Sequence, residues 1–455
     1  MTGRTRFRVL LLSSAIALAA PRIASAQSKS ECKQFTSGSA HTKLDCIEGL
    51  FSEQPLHLTF SSLPPGNGLP LGLVYEQPEH VLGGDGKALT DPKLMIVGAR
   101  HGWYATGSFD WLPPLPYQLK VDSAGTRCHQ LGAMCTTNVF SIGMYASHRA
   151  VTRLSFYGLG ATAPDTPHFF EARESWGGVA ARMPLTNWLR LDGQIEDRQL
   201  TLPSSDVTAT FTEATAPGVA SQPNYLHPSV AIRTGVRHIN ELKTGRTPPP
   251  GMKMKSRTEL EFRNEASYHW YNDLTTGRYS FQQFVFNGDE SFDFQAVILD
   301  FFEPGSSWLV EHFCGGNKRN DTCEFGRIDV KTLVQLARVD PANAMPFYFM
   351  PTIGGSDVES RTSLRGYDDY RFRGADAAVL QVEYTRTFEK LDPLGMLVFY
   401  DGGLVGATAS DMWNSRYRQD AGVGLTLRLQ HKLFAEMYVA AGNGLKFGYS
   451  FGKLF

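Results

Sequence analysis

Residues Thr258–Trp270 read TELEFRNEASYHW. Counted by twos, Leu260, Phe262, Ala266, Tyr268 and Trp270 share one side. Glu259, Glu261, Arg263, Glu265, Ser267 and His269 share the other. A helix would spread these charges around its girth, whereas a strand gathers them on one face. The same period recurs in Trp188–Arg198, WLRLDGQIEDR, where Leu189, Leu191 and Ile195 oppose Arg190, Asp192, Gln194, Glu196 and Arg198. In Ala421–Gln430, AGVGLTLRLQ, Val423, Leu425, Leu427 and Leu429 oppose Gly424, Thr426, Arg428 and Gln430. One face is apolar enough for lipid. The other is so charged that it must meet water or further charge. That pattern predicts an all-β fold, a transmembrane antiparallel β-barrel, and not a sandwich with an apolar core.

Composition agrees. Mean hydropathy is −0.23 and aromatic residues make up 12% of the chain. Beyond the N-terminus no apolar run approaches the roughly 18 residues of a membrane helix. A barrel escapes that test, because only alternate residues of its strands face lipid. The N-terminus has the form of a secretory signal over residues 1–26: a basic MTGRTRFR, the apolar Val9–Ala20 and the small-residue site Ala24–Ala26. Removing Arg4, Arg6, Arg8 and Arg22 from the 44 basic residues leaves 40 against 45 acidic ones. A weakly acidic chain gives no electrostatic reason to expect nucleic acid as a partner.

An exported chain meets an oxidising compartment. The cysteines fall as Cys32 and Cys46, Cys128 and Cys135, Cys314 and Cys323, so three local disulfides are the simple reading. Six cysteines allow 15 connectivities, and spacing alone does not choose among them. No C-x-x-C or H-E-x-x-H spacing points to a metal, and no cofactor motif is present.

Turn signals mix short and long. Pro184–Asn187 and Glu303–Ser307 read as tight, while PSSDVTATFTEATAPGVASQP and CGGNKRNDTC are long and polar, suggesting short periplasmic turns and longer outer loops. Trp103, Trp111, Trp188, Trp270 and Trp308 sit near expected strand ends, where interfacial aromatics belong. The first clear strand lies near Leu69–Glu76, and the stretches Ala99–Thr136 and Asp329–Ile353 are ambiguous. The length from there to Phe455 suits about 16 strands at roughly 20–25 residues each. The last strand, LKFGYSFGKLF, alternates and ends on Phe455, the kind of terminus that barrel-assembly machinery recognises.

One connection is unusually ordered: IGGSDVESRTSLRGYDDYRFRG, Ile353–Gly374. Its Arg365-Gly366-Tyr367 after a glycine pair resembles the inward-folded extracellular loop of the BamA/TamA superfamily of outer-membrane proteins. Gln381, Glu383 and Tyr384 match that family's Gln-x-Glu-Tyr strand, and Phe399, Asp401 and Gly403 its Phe-x-Asp-x-Gly. Ser155–Gly160 and Thr247–Gly251 resemble further segments. The resemblance covers most of residues 67–455 and is most specific in the C-terminal third. It implies a barrel in the bacterial outer membrane, surrounded by its lipid, with a protein client. The residues support the loop's placement separately. Gln381, Glu383, Phe399 and Asp401 fall on the lumenal side by parity, while Tyr384, Val398 and Tyr400 face lipid. Two acids in a barrel wall are costly unpaired. Arg365 supplies the missing charge if its loop folds inward, and a planar guanidinium can bridge both carboxylates. Gly366 lets the backbone pass close to the wall.

Two departures temper the family's role. Members that insert or secrete proteins carry periplasmic POTRA domains, whereas here residues 27–66 form a short N-terminal segment. The family's Asp-x-Arg-Asp is also altered, to Arg237–Asn240, RHIN. Protein insertion or translocation is the first expectation. The alternatives are a gated or passive pore, and a surface-exposed structural or binding barrel. Catalysis is not expected: G-x-S-x-G is missing, and His101, His148, His168 and His431 are scattered without a partner the sequence places.

Overall fold

The structure is a computed structural model that describes residues 56–59, 63–76, 89–112, 140–186, 188–203, 205–242, 256–295, 324–358, 361–387, 394–429 and 432–451. The readings made for the signal, the six cysteines, Thr247–Gly251, Trp308 and Phe455 lie outside the described residues.

Sixteen strands form one antiparallel sheet in chain order. They are β1 (Leu56–Thr59), β2 (Leu71–Glu76), β3 (Leu89–Ala99), β4 (Gly102–Leu112), β5 (Ser141–Phe156), β6 (His168–Pro184), β7 (Leu189–Thr201) and β8 (Asn224–Leu242). Then come β9 (Ser256–Asp273), β10 (Phe281–Gln295) and β11 (Glu324–Arg338). A small two-stranded sheet, β12 (Thr352–Ile353) with β13 (Phe372–Arg373), interrupts the series. The large sheet resumes with β14 (Asp376–Thr387), β15 (Leu394–Gly406), β16 (Arg418–Leu429), β17 (Lys432–Gly442) and β18 (Gly444–Phe451). Two short helices, α1 (Asp206–Thr210) and α2 (Ala409–Asn414), cap connections. Among the described residues no helix is long and apolar enough to cross a membrane.

The sheet starts before Leu69, because the short β1 pairs with β2. Both ambiguous stretches contain strands, β4 and β11. The turn asymmetry reads differently in the structure. Antiparallel neighbours alternate direction, so the connection after β7 and that after β10 leave from opposite ends of the sheet. PSSDVTATFTEATAPGVASQP follows β7, whereas CGGNKRNDTC follows β10, in the same connection as Glu303–Ser307. Local turn chemistry reports how tight a bend is, but not at which end it lies.

The alternation sets the two faces. Ile195, Phe262, Val423 and Leu425 are exposed, while Glu196, Ser267 and Thr426 on the same strands are buried. Trp103, Trp111 and Trp188 are exposed as well. A contiguous apolar face on this scale is excluded from water, and lipid is its natural solvent. The opposite face curls around the residues between β11 and β14. Arg149 on β5 donates to Val358 O at 2.9 Å, Arg365 reaches β14 and β15, and Lys446 on β18 pairs with Asp368. Strands so far apart in the sheet can meet one connection only if the sheet rolls up around it.

The bore is not purely ionic. A 3-10 turn at Phe347–Phe349 inserts aromatics into the wall. Phe347 packs on Phe156 and Phe170 with ring centroids 4.8 and 5.3 Å away. Phe349 meets Tyr225 and Tyr271 at 5.2 and 5.1 Å. The connection is therefore anchored by hydrophobic contacts on the β5–β10 side and by charge on the β14–β18 side.

Candidate functional site

The charged anchor forms where β14 and β15 run side by side, Gln381 opposite Asp401 and Glu383 opposite Phe399. Arg365 lies over them. Its Nε and Nη2 donate to the two oxygens of Asp401, each at 2.8 Å, a fork-to-fork pair. Its Nη1 donates to Glu383 Oε2 at 2.5 Å, and its backbone N–H to Asp401 Oδ2 at 3.2 Å. The guanidinium carbon sits 3.5 Å from the centroid of the Phe399 ring, within cation–π range. Gln381 Nε2 donates to Ser363 O at 2.8 Å and to Asp401 Oδ1 at 3.2 Å. Asp401 is fully buried and Arg365 nearly so. Burial disfavours the charge on Arg365, yet the hydrogen bonds and charge of Asp401 and Glu383 hold the guanidinium above its ordinary value.

The remaining family-type residues lie in the same place. Gly366 passes so close to β16 and β17 that an added Cβ would sit 2.7 Å from Asp420 Cβ and 2.8 Å from Gly442 N. Tyr367 donates to Gln419 O at 3.3 Å, and its ring meets Phe372 edge-on at 5.4 Å. At Gly403 a Cβ would stand 3.2 Å from Ile353 Cδ1, so this position leaves room for the connection's apolar side chains. Tyr370 adopts a φ of 60°, the sole non-glycine residue at positive φ among the described residues. It is buried and donates to Pro65 O at 3.2 Å. Strain of this kind persists only where surroundings hold it.

Sequence reasoning missed several participants. Asp420 faces Asp401 directly across β15 and β16 and is buried, a third acid beside one arginine. The two-residue count through Thr426, Gly424 and Gly422 reaches it. Arg371 pairs with Asp165 and donates to Ala163 O at 2.9 Å. Arg373 is buried, has no ion pair among the described residues and donates to Phe347 O at 2.6 Å.

A second polar network crosses the bore wall at one level. Tyr145, Gly178, Glu196 and His227 are consecutive cross-strand partners on β5 to β8. Gly178 has no side chain, so Tyr145 reaches past it to donate to Glu196 Oε2 at 2.7 Å. His227 Nδ1 lies 2.7 Å from Glu196 Oε1, and its Nε2 lies 3.1 Å from His269 Nδ1. His269 Nε2 is 2.9 Å from Ser267 Oγ. Of the histidines singled out earlier, His431 lies outside the described residues. His148 bonds Ser175 at 2.8 Å, and His168 packs edge-on against Phe211. Among the described residues no three His, Cys, Asp or Glu side chains gather as a metal site requires.

No family model matches the sequence, and no curated protein matches it. Among solved structures, the chain is similar to BamA from Haemophilus ducreyi lacking POTRA domains 1–3, with 13% identity and a TM-score of 0.47. That match covers 85% of this chain and 68% of the other. It is also similar to CdiB from Acinetobacter baumannii (11% identity, TM-score 0.41, 82% and 52% covered). CdiB from Escherichia coli gives 10% identity, a TM-score of 0.44 and coverage of 85% and 59%. The chain thus spans between half and two thirds of the two CdiB chains.

Proposed function

We propose that this chain is a bacterial outer-membrane barrel that helps polypeptides enter or cross that membrane, with the Arg365 cluster acting as a lock on its inner connection. The observation that carries this reading is the contrast between a filled bore and a sheet with two unladdered edges. β1 and β18 begin and end the series of sixteen strands. They are the two edges of the sheet, and among the described residues no ladder joins them. An edge strand offers a row of N–H and C=O groups to another extended chain. Among the described residues, the β18 edge also carries the most exposed large apolar side chains, Leu445 at 80% and Phe447 at 71%. A client strand pairing there would gain hydrogen bonds and an apolar neighbour while remaining in lipid. The lock keeps the bore occupied while the edge is used.

The experiment is site-specific photo-crosslinking in cells. A benzophenone side chain at Phe447 should capture newly exported barrel proteins. The same group at Ile195, also exposed on the outer face but mid-sheet, should not. Equal capture at both positions, or none at Phe447, overturns the reading.

A further inference from the structure

Arg365 and Arg373 belong to the same inner connection and both are buried, yet their surroundings are opposite. Arg365 presents its Nε and Nη2 edge to the two oxygens of Asp401. The same edge of Arg373 meets nothing. Its Nε and Nη2 are sealed from solvent and have no hydrogen-bond partner among the described residues. Its Nη1 donates to Phe347 O at 2.6 Å and, more distantly, to Met350 O at 3.5 Å. The rings of Phe156 and Phe347 stand 5.7 Å from its guanidinium carbon, near the outer limit of a cation–π contact. Phe399 lies at 3.5 Å under Arg365. Asp357 is close enough for its charge to act on Arg373, but it is paired with Arg361 at 3.3 Å. Burial pushes the Arg373 guanidinium down, to about 10, against the pull of Tyr370 and Asp357, so it is still charged at neutral pH.

A buried cation short of partners favours any state in which it meets water. Water reaches Arg373 when the connection leaves the wall beside it. That wall is the β5–β10 side. It holds the connection through Phe347, which packs on Phe156 and Phe170 and donates its backbone N–H to Pro217 O at 2.9 Å. Aromatic packing gives this anchor its strength, and the idle cation limits it. On the other side, lifting Arg365 would strand Asp401 and Glu383 without a counter-charge.

We infer that Arg373 makes the aromatic anchor the releasing side of the inner connection, which opens from the β5–β10 wall while Arg365 stays fixed as a pivot. The passage so uncovered runs along β5–β10 and not along β14–β18. The inference rests on the bore contacts alone and is independent of what the barrel handles.

The test is amide hydrogen exchange on the full chain refolded in a non-ionic detergent, read at Phe347 and Arg365 and corrected for intrinsic rates. The Phe347 N–H reports the contact with Pro217, and the Arg365 N–H, 3.2 Å from Asp401 Oδ2, reports the pivot. In the unmodified chain Phe347 should exchange about tenfold faster than Arg365 or more, because exchange follows the free energy of local opening. Arg373→Met removes the charge and keeps an unbranched side chain. Phe347 O still accepts from Met350 N–H at 3.2 Å, so it keeps a donor. The variant should slow Phe347 by about tenfold and leave Arg365 unchanged. Arg373→Lys retains the charge and should leave Phe347 as fast as in the unmodified chain. Arg365 exchanging first or at the same rate, Arg373→Met leaving Phe347 as fast or faster, or Arg373→Lys slowing it as Met does, overturns the inference. The order of the two amides in the unmodified chain decides the matter even if a variant does not fold.

Discussion

Arg365 and Asp401 face each other through two parallel hydrogen bonds of 2.8 Å in a buried corner of the bore. Removing the guanidinium leaves Asp401 and Glu383 without their shared counter-charge. Breaking a buried pair from one side costs ~3–5 kcal/mol. Arg365→Ala is therefore expected to lower the unfolding temperature and the yield of folded barrel, and to raise single-channel conductance in planar bilayers. Arg365→Lys should recover only part of the loss, because an ammonium cannot make the fork. Unaltered conductance and yield in Arg365→Ala would show that the cluster does not hold the connection.

Asp420 gives a prediction of opposite sign. It stands directly across from Asp401, and like charges so placed are destabilising. Asp420→Asn keeps the shape and removes one negative charge from a corner with a single guanidinium. It should be neutral or stabilising, by up to ~1 kcal/mol on the cross-strand scale. Thermal unfolding of the two chains side by side measures this. A clear loss would mean that the carboxylate, not its shape, is needed.

At Gly366 the constraint is backbone against backbone. A methyl group there would stand 2.8 Å from Gly442 N and 3.0 Å from Gly442 Cα, neither of which can rotate away. Gly366→Ala should push the connection off β16 and β17, at the ~1–3 kcal/mol typical of overpacking. Protease accessibility of the 353–374 segment should rise with it. Should the segment stay as protected as in the wild type, the close approach is not what seats it.

How much of this was legible depended on which force acted. The outer face follows from steric alternation, so Phe262 and Leu425 were readable from period two alone. The Arg365 cluster was readable because parity puts Gln381, Glu383 and Asp401 inside, and buried acids demand a base. Asp420 obeys the same count, but lies one residue beyond the stretch that begins at Ala421. The aromatic anchor was not readable. Phe347 and Phe156 meet only because the sheet rolls up, and nothing local to either marks the other. The described part of β1, Leu56–Thr59, is too short for a period to show. The Tyr145–Glu196–His227 belt needed inter-strand register, which single-strand patterns do not supply.

Glu196 tests that belt. It accepts from Tyr145 and is engaged by His227 on its other oxygen, with Arg198 Nε 3.4 Å away. Tyr145→Phe removes one hydrogen bond and should cost about 0.5–1.5 kcal/mol or somewhat more, since the acceptor is charged. Glu196→Ala strands Tyr145 and His227 together and should cost more than Tyr145→Phe. The double variant should be less damaging than the sum, because both changes remove the same contact. Additive losses in chemical denaturation would mean the belt is a set of independent contacts.

Asp369 carries the pH prediction. It belongs to the inner connection, where burial raises its carboxyl above the ordinary value; the Ser356 N–H and Lys446 oppose this, and Asp368 adds to it. The fold therefore disfavours its ionised form. The sign follows from linkage: a raised acid loses stability as pH climbs from its unfolded value, ~3.9, through its folded one. Asp369→Asn keeps an oxygen for the 2.8 Å bond from Ser356 N–H and removes the charge. The variant should unfold at a higher temperature than wild type near pH 7. The gap should close as the pH is lowered toward ~3.9, where the wild-type carboxyl is protonated in both states. Paired melting curves from pH 3.5 to 8 read this directly. A gap that stays constant across the range, or a variant less stable at neutral pH, would mean that the charge of Asp369 supports the connection through Lys446 instead of burdening it.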